Sequence, residues 1–140
     1  MTQYRGIFTS DRAGTRDTLT DDGIVLEHDM PVGDDFPVTP KNTIAKVTHT
    51  ESVTLPDGTK ARRAYFGTDR MLPPGVVPCI EGRMLDFRPG PNGSRIITSC
   101  LVTAIALRPD PVGYDGDLEV LDGDTWRVVT PPRDVKPDPC

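Results

Sequence analysis

The sequence contains no block of positive charge: 16 Lys and Arg are outweighed by 21 Asp and Glu, for a formal net charge of −5. Proteins that grip nucleic acid gain affinity by neutralising phosphates with a basic face, so this chain is a poor candidate for that work. Long hydrophobic runs are missing as well. The most apolar stretch, 96–107, is broken by Thr98, Ser99 and Thr103 and falls short of the ~18 apolar residues that a membrane-spanning helix needs. The opening Met1-Thr2-Gln3-Tyr4-Arg5-Gly6-Ile7-Phe8 lacks the apolar centre of a secretion signal, so the chain is expected to be made and used in a cytoplasm. Cysteine is scarce: Cys79, Cys100 and Cys140 are odd in number and widely spaced. That pattern favours two small buried thiols and one tail thiol over a disulfide or metal framework. His28 and His49 lie far apart with no second ligand close by, which argues against zinc.

What is present suits a small β domain. The 140 residues suffice for one domain with arms and not for two cores. Val, Ile, Leu and Phe number 33, above the range of wholesale disorder. Pro (15) and Gly (13) are frequent, Val and Thr are abundant and Ala is scarce. That mixture opposes a helical bundle and favours short strands joined by many turns.

Three hairpins can be read along the chain. The Val- and Thr-rich 43–55 returns as 60–67 across Pro56-Asp57-Gly58-Thr59, where Pro presets φ, Asp bonds the backbone and Gly accepts a positive φ. A strand at 80–88 is closed by 89–94 and followed by 95–108, whose β-branched Ile96, Ile97, Thr98, Val102, Thr103 and Ile105 favour strand over helix. The third hairpin pairs 117–121 with 124–130 across Asp122-Gly123. Residues 23–27 add a short β-prone run. The expected architecture is all-β: a small antiparallel β-barrel or sandwich of about six to seven strands, with long loops and extended terminal arms. Its parts are a polar N-terminal arm (1–22), a β-barrel domain (23–130) and an extended C-terminal tail (131–140).

Motifs for chemistry are sparse. The Asp-Gly pairs fall where turns belong, and the aspartate clusters lack the frame of a calcium loop. No serine sits in a nucleophile elbow, and Gly90-Pro91-Asn92-Gly93-Ser94 lacks the Lys of a phosphate loop. The chain is therefore expected to be no enzyme, with no cofactor and no metal site. Tyr65-Phe66 and Trp126 could stack bases on a barrel face, with Arg62, Arg63 and Arg70 as the available cations. Core packing is the simpler reading. Trp126 in particular is expected to anchor the last hairpin, a position where truncation costs about 3–5 kcal/mol.

The final hairpin, Leu118-Glu119-Val120-Leu121-Asp122-Gly123-Asp124-Thr125-Trp126-Arg127-Val128-Val129-Thr130-Pro131-Pro132, resembles the ending of the small head-to-tail connector proteins of long-tailed bacteriophages, especially the stopper (head-closure) family. The detailed match covers residues 113–135. The resemblance implies a structural virion protein of the neck, assembled in the host cytoplasm into a homo-oligomeric ring of six subunits. Such a ring would sit between the portal or adaptor ring and the tail terminator or tail tube, close the head, and pass DNA without binding it specifically. No membrane and no catalytic residue are implied. Another tail component (a tail terminator or minor tail protein) and a ligand- or nucleic-acid-binding small β-barrel are the competing readings.

Within that expectation, the Pro-rich loop 28–40 lines or gates the channel. Asp29, Asp34 and Asp35 would repel DNA phosphates over roughly 8 Å at ~0.15 M salt. The second Pro-rich loop, 68–79, supplies the docking candidates Arg70, Met71, Pro73 and Pro74, and the tail supplies Arg133 and Val135.

Overall fold

The computed structural model describes residues 1–11, 17–73, 75–108 and 118–129. Ten strands occur among them: β1 (Thr2–Ser10), β2 (Asp17–Leu19), β3 (Ile24–Leu26), β4 (Pro31–Gly33), β5 (Thr43–Thr54), β6 (Lys60–Thr68), β7 (Val77–Pro89), β8 (Arg95–Arg108), β9 (Leu118–Asp122) and β10 (Thr125–Val128). No α-helix occurs among the described residues; two single 3-10 turns, at Asp21–Gly23 and Pro91–Gly93, are the only helical pieces. The all-β expectation is met.

β8 is the axis of the sheet. Its β-branched residues disfavour helix, and burial of Val102, Ala104, Ile105, Ala106 and Leu107 shows its second half enclosed on both faces. Antiparallel β7 covers one flank from end to end, Val77 opposite Arg108 and Pro89 opposite Arg95. Three short strands tile the other flank in parallel: β2 at Arg95–Ile97, β3 at Cys100–Val102 and β4 at Ile105–Ala106. Between them Thr20 N–H donates to the Ile97 carbonyl (3.1 Å) and Glu27 N–H to that of Val102 (3.0 Å). The sheet is thus mixed and has more strands than the six or seven expected. Hairpins announce themselves through turn residues, whereas three-residue parallel pairings between segments some 70 residues apart leave no local pattern.

β4 also pairs with the start of β5, and β5 continues into β6, β1, β9 and β10. The path runs β10-β9-β1-β6-β5-β4-β8, with β7 on the far side of β8, and does not close into a barrel. It rolls back on itself instead: Gly6 of β1 lies so near the Pro78 ring of β7 that a Cβ there would stand 2.8 Å from the proline Cγ. Tyr4, Phe8, Val32, Phe66, Val102, Ile105, Leu107 and Leu118 fill the resulting core, with Tyr4 and Phe66 stacked at 5.6 Å between centroids.

Two segments depart from the sequence expectation in the same direction. Of the N-terminal 1–22, residues 2–10 are no loose arm: β1 lies between β6 and β9, and Phe8, Thr9 and Ser10 are buried. Its run Tyr4-Arg5-Gly6-Ile7-Phe8 carries the β propensity, while the polar residues after it dominate the composition. The Pro-rich 28–40 is not one loop either. β4 passes through it and places Val32, fully buried, in the core. Pro31 can open this strand because the missing N–H costs nothing where no ladder bond is needed.

The turns match their chemistry. Gly58 has φ +87°, and Asp57 Oδ1 accepts from the Thr59 N–H at 3.0 Å. In the last hairpin Asp122 pairs with Thr125, so the two turn residues are Gly123 and Asp124. Of the two only Gly123 has a positive φ (+68°), as in a type II′ turn. Cys100 is a buried free thiol, and burial pushes its pKa up. Cys79 is disulfide-bonded, contrary to the expected thiol.

Because β8 is enclosed on both sides, Ile105→Ala should cost about 2–5 kcal/mol, the usual range for a buried isoleucine. Urea unfolding monitored by circular dichroism would measure it. Met71→Ala, at a residue 92% exposed, should leave the midpoint within about 0.5 kcal/mol of wild type.

Candidate functional site

The two Pro-rich segments, distant in sequence, meet at one end of the sheet. Arg70 Nη1 donates to Asp34 Oδ2 at 2.6 Å, tying the segment after β6 to the segment after β4. The rest of each segment is pinned as well. Asp34 N–H bonds the Asn42 carbonyl at 3.0 Å, and Asn42 Nδ2 bonds that of Pro37 at 2.9 Å. Val38 N–H is shared by both carboxylate oxygens of Glu81 at 3.2 Å. Leu72 is buried and its N–H reaches the Tyr4 hydroxyl at 3.4 Å. Between these anchors Phe36 and Met71 stand out into solvent, with the Arg108 guanidinium 5.5 Å from the Phe36 ring centre.

Beside Met71 an open cleft is floored by Tyr4, Leu72, Val120 and Val129 and rimmed by Asp69 and Arg127. An apolar floor with charged rims suits a partner's apolar side chain entering between polar contacts. Met71, one of the expected docking residues, lines this cleft, and Arg70, next to it in the chain, is exposed. Pro73 is exposed beside them; Pro74, Arg133 and Val135 lie outside the described residues.

The three aspartates expected to line a channel do not form one wall. Asp29 precedes β4, in a left-handed conformation (φ +52°), and lies beside the cleft lined by His28, Thr48 and His49. Asp34 and Asp35 follow β4 at its other end. Asp34 is neutralised by Arg70, and Asp35 Oδ1 accepts from the Phe36 N–H at 2.8 Å. The sequence groups the three by proximity, and an intervening buried strand separates them.

Trp126 is also elsewhere than expected. It is half-buried on the outer face of the β5-β6-β1-β9-β10 half, not in the core. Cross-strand registers build a row there: His49 opposite Tyr65, Tyr65 opposite Arg5, Arg5 opposite Glu119. Arg5 Nε donates to Glu119 Oε1 at 2.9 Å, and its guanidinium lies 4.4 Å from the Trp126 ring centre. Tyr65 meets the indole edge-on at 5.7 Å and His49 at 5.0 Å. The Tyr65 hydroxyl and Arg63 Nη1 both donate to Glu51 Oε1, at 2.6 and 3.1 Å. The hydroxyl, with Arg63 and His49 assisting, holds the Glu51 carboxyl below its ordinary value of 4.5 against the opposing effect of desolvation. Sequence reading missed this row because it depends on Arg5, in a segment taken for an arm.

Arg62, Arg63 and Arg70, the cations available for a phosphate-binding groove, are each paired with a carboxylate: Asp21 at 3.2 Å, Glu51 and Asp34. Among the described residues no group of three or more His, Cys, Asp or Glu is placed to hold a metal ion, and no helix is long and apolar enough to cross a membrane. No family model matches the chain, and no curated protein or solved structure matches it.

Two outcomes follow from the outer row. Trp126→Ala should cost about 1–2 kcal/mol, the loss of an aromatic pair and a cation–π contact at a half-exposed site, rather than a core penalty; thermal unfolding would read it. Glu51 takes up its proton less readily folded than unfolded. Its contribution to stability is therefore complete above 4.5 and is lost as pH falls through the lowered folded value. Tyr65→Phe should flatten that loss, seen as a shallower fall in thermal midpoint between about pH 5 and pH 3.

Proposed function

We propose that this protein is a structural assembly subunit, and specifically a head-closure component of the neck of a long-tailed bacteriophage. In this role it joins a ring between portal or adaptor and tail, located in the virion after assembly in the host cytoplasm, and carries out no catalysis. The observation that carries the reading is the division of the surface. The arginines Arg62, Arg63 and Arg70 are neutralised by carboxylates, while the apolar side chains Phe36 and Met71 stand exposed, Met71 lining an apolar cleft. A wall past which DNA must slide gains from having its cations spoken for. A subunit that docks on neighbours gains from apolar anchors with polar rims.

The resemblance of the last hairpin to stopper proteins supplies the particular place. Arg70, Met71 and the cleft then form the face toward an adjoining ring, and Asp34, tied to Arg70, belongs to that face rather than to a channel lining. Asp29 is left as the candidate for the channel side.

The test is made on particles. Antibody raised against the chain should label the neck of purified virions by immunogold microscopy, and loss of the gene should give DNA-filled heads that leak their genome. Met71→Asp, in a subunit that folds normally, should reduce particle yield at least tenfold. Label along the tail, or absence of the chain from particles, would overturn the proposal.

A further inference from the structure

The sheet ends at β7, an edge that carries charges and a bulge together with exposed apolar side chains, and on which Asp86 Oδ1 accepts from the Phe87 N–H at 2.8 Å. Among the described residues β7 pairs only with β8. Its first four residues are buried, but everything from Gly82 to Pro89 is exposed. Met84, Leu85 and Phe87 are 39, 53 and 47% exposed. An exposed strand edge of this length, carrying apolar side chains, is a template for another strand.

The register with β8 fixes which side chains share a face. Met84 lies opposite Cys100 and Phe87 opposite Ile97, both members of the core cluster. Arg83 lies opposite Leu101 and Asp86 opposite Ser99, on the other face. A regular strand would put residues 83 and 86 on opposite faces. Here Leu85 is an extra residue with no partner on β8, and this bulge brings Arg83 and Asp86 to one face.

That bulge makes the edge complementary to itself. Two copies of one strand meeting antiparallel about a two-fold axis must place same-face residues opposite each other. With Leu85 bulged, two central alignments satisfy this. One sets Arg83 opposite Arg88 of the second copy, a repulsive pair made twice. The other sets Arg83 opposite Asp86, again twice, and brings Phe87 of one copy across Gly82 of the other, where no side chain stands in the way. The axis then passes beside the Met84–Leu85 step, and the apolar residues of both copies meet there. We infer that the β7 edge is a homodimerisation surface, in which a second copy of this chain adds its own β7 antiparallel with Arg83 opposite Asp86.

Such a contact closes at two copies and does not build a ring. The inference therefore stands apart from the neck reading, and its failure leaves that reading untouched. Sedimentation velocity on the purified chain tests it. The wild type should be dimeric at about 100 µM, and Arg83→Asp or Asp86→Arg alone should weaken the dimer by about tenfold or more, because like charges then face each other twice. The double variant R83D/D86R should return to within about threefold of wild type. Circular dichroism confirms that these exposed substitutions leave the fold intact. As a check needing no variant, amides of residues 82–88 should exchange more slowly as wild-type concentration rises. A monomeric wild type, singles without effect, a double as weak as the singles, or concentration-independent exchange would each overturn the inference. A tighter dimer in Arg83→Asp would overturn it too, by placing Arg83 opposite Arg88.

Discussion

A strand buried on both faces must find a partner for its peptide groups along both flanks, because no water can substitute. The second half of β8 is in that position, and the remainder of the fold is laid along both flanks of the strand. β7 supplies one flank as a hairpin. The other flank is met by a chain segment that Asp21, Asp22, Gly23 and Asp29 break up, so it is met in three pieces, β2, β3 and β4. The pieces are short because each need satisfy only two or three residues. The first is locked by a bidentate ion pair, Arg95 Nε and Nη2 on the two oxygens of the buried Asp17 carboxylate at 2.8 and 2.9 Å. Between first and second piece Gly23 approaches so closely that a Cβ would stand 1.9 Å from the Thr98 carbonyl oxygen.

This tiling determines where the candidate residues lie. β4 is drawn to β8, and the Pro-rich stretch around it is consequently split, with Asp29 at one end and Asp34 and Asp35 at the other. The same strand leads into β5 and so joins the β8 region to the strands that carry Arg5, Tyr65 and Trp126. Charges then settle locally. On the outer face, cross-strand neighbours pair Arg5 with Glu119 and Arg63 with Glu51.

Charge neutralised in place and apolar surface left open are what the proposed assembly role calls for. The open surface is concentrated at the Met71 end and along the second half of β7. These belong to different parts of the sheet, one at the ends of strands and one along an edge, and they favour different contacts: side-chain insertion at the first, strand addition at the second.

The sequence by itself determined the features that depend on near neighbours. The strands β5 to β10 and the turns at Gly58 and Gly123 follow from β-branched runs broken by Pro, Asp and Gly, since φ preferences and alternation act over a few residues. Arg70 and Met71 are likewise exposed, as their polar, Pro-rich segment leads one to expect. Tertiary structure alone decided the rest. Whether Tyr4 to Phe8 is an arm or a central strand depends on β6 and β9 being there to receive it. Whether Trp126 is core or outer face depends on which side of β9 and β10 meets the remaining strands, because a hairpin pattern fixes alternation but not which face is inward. Asp34 meets Arg70 only because β4 is captured by β8, a pairing between residues more than 70 apart that no local preference encodes.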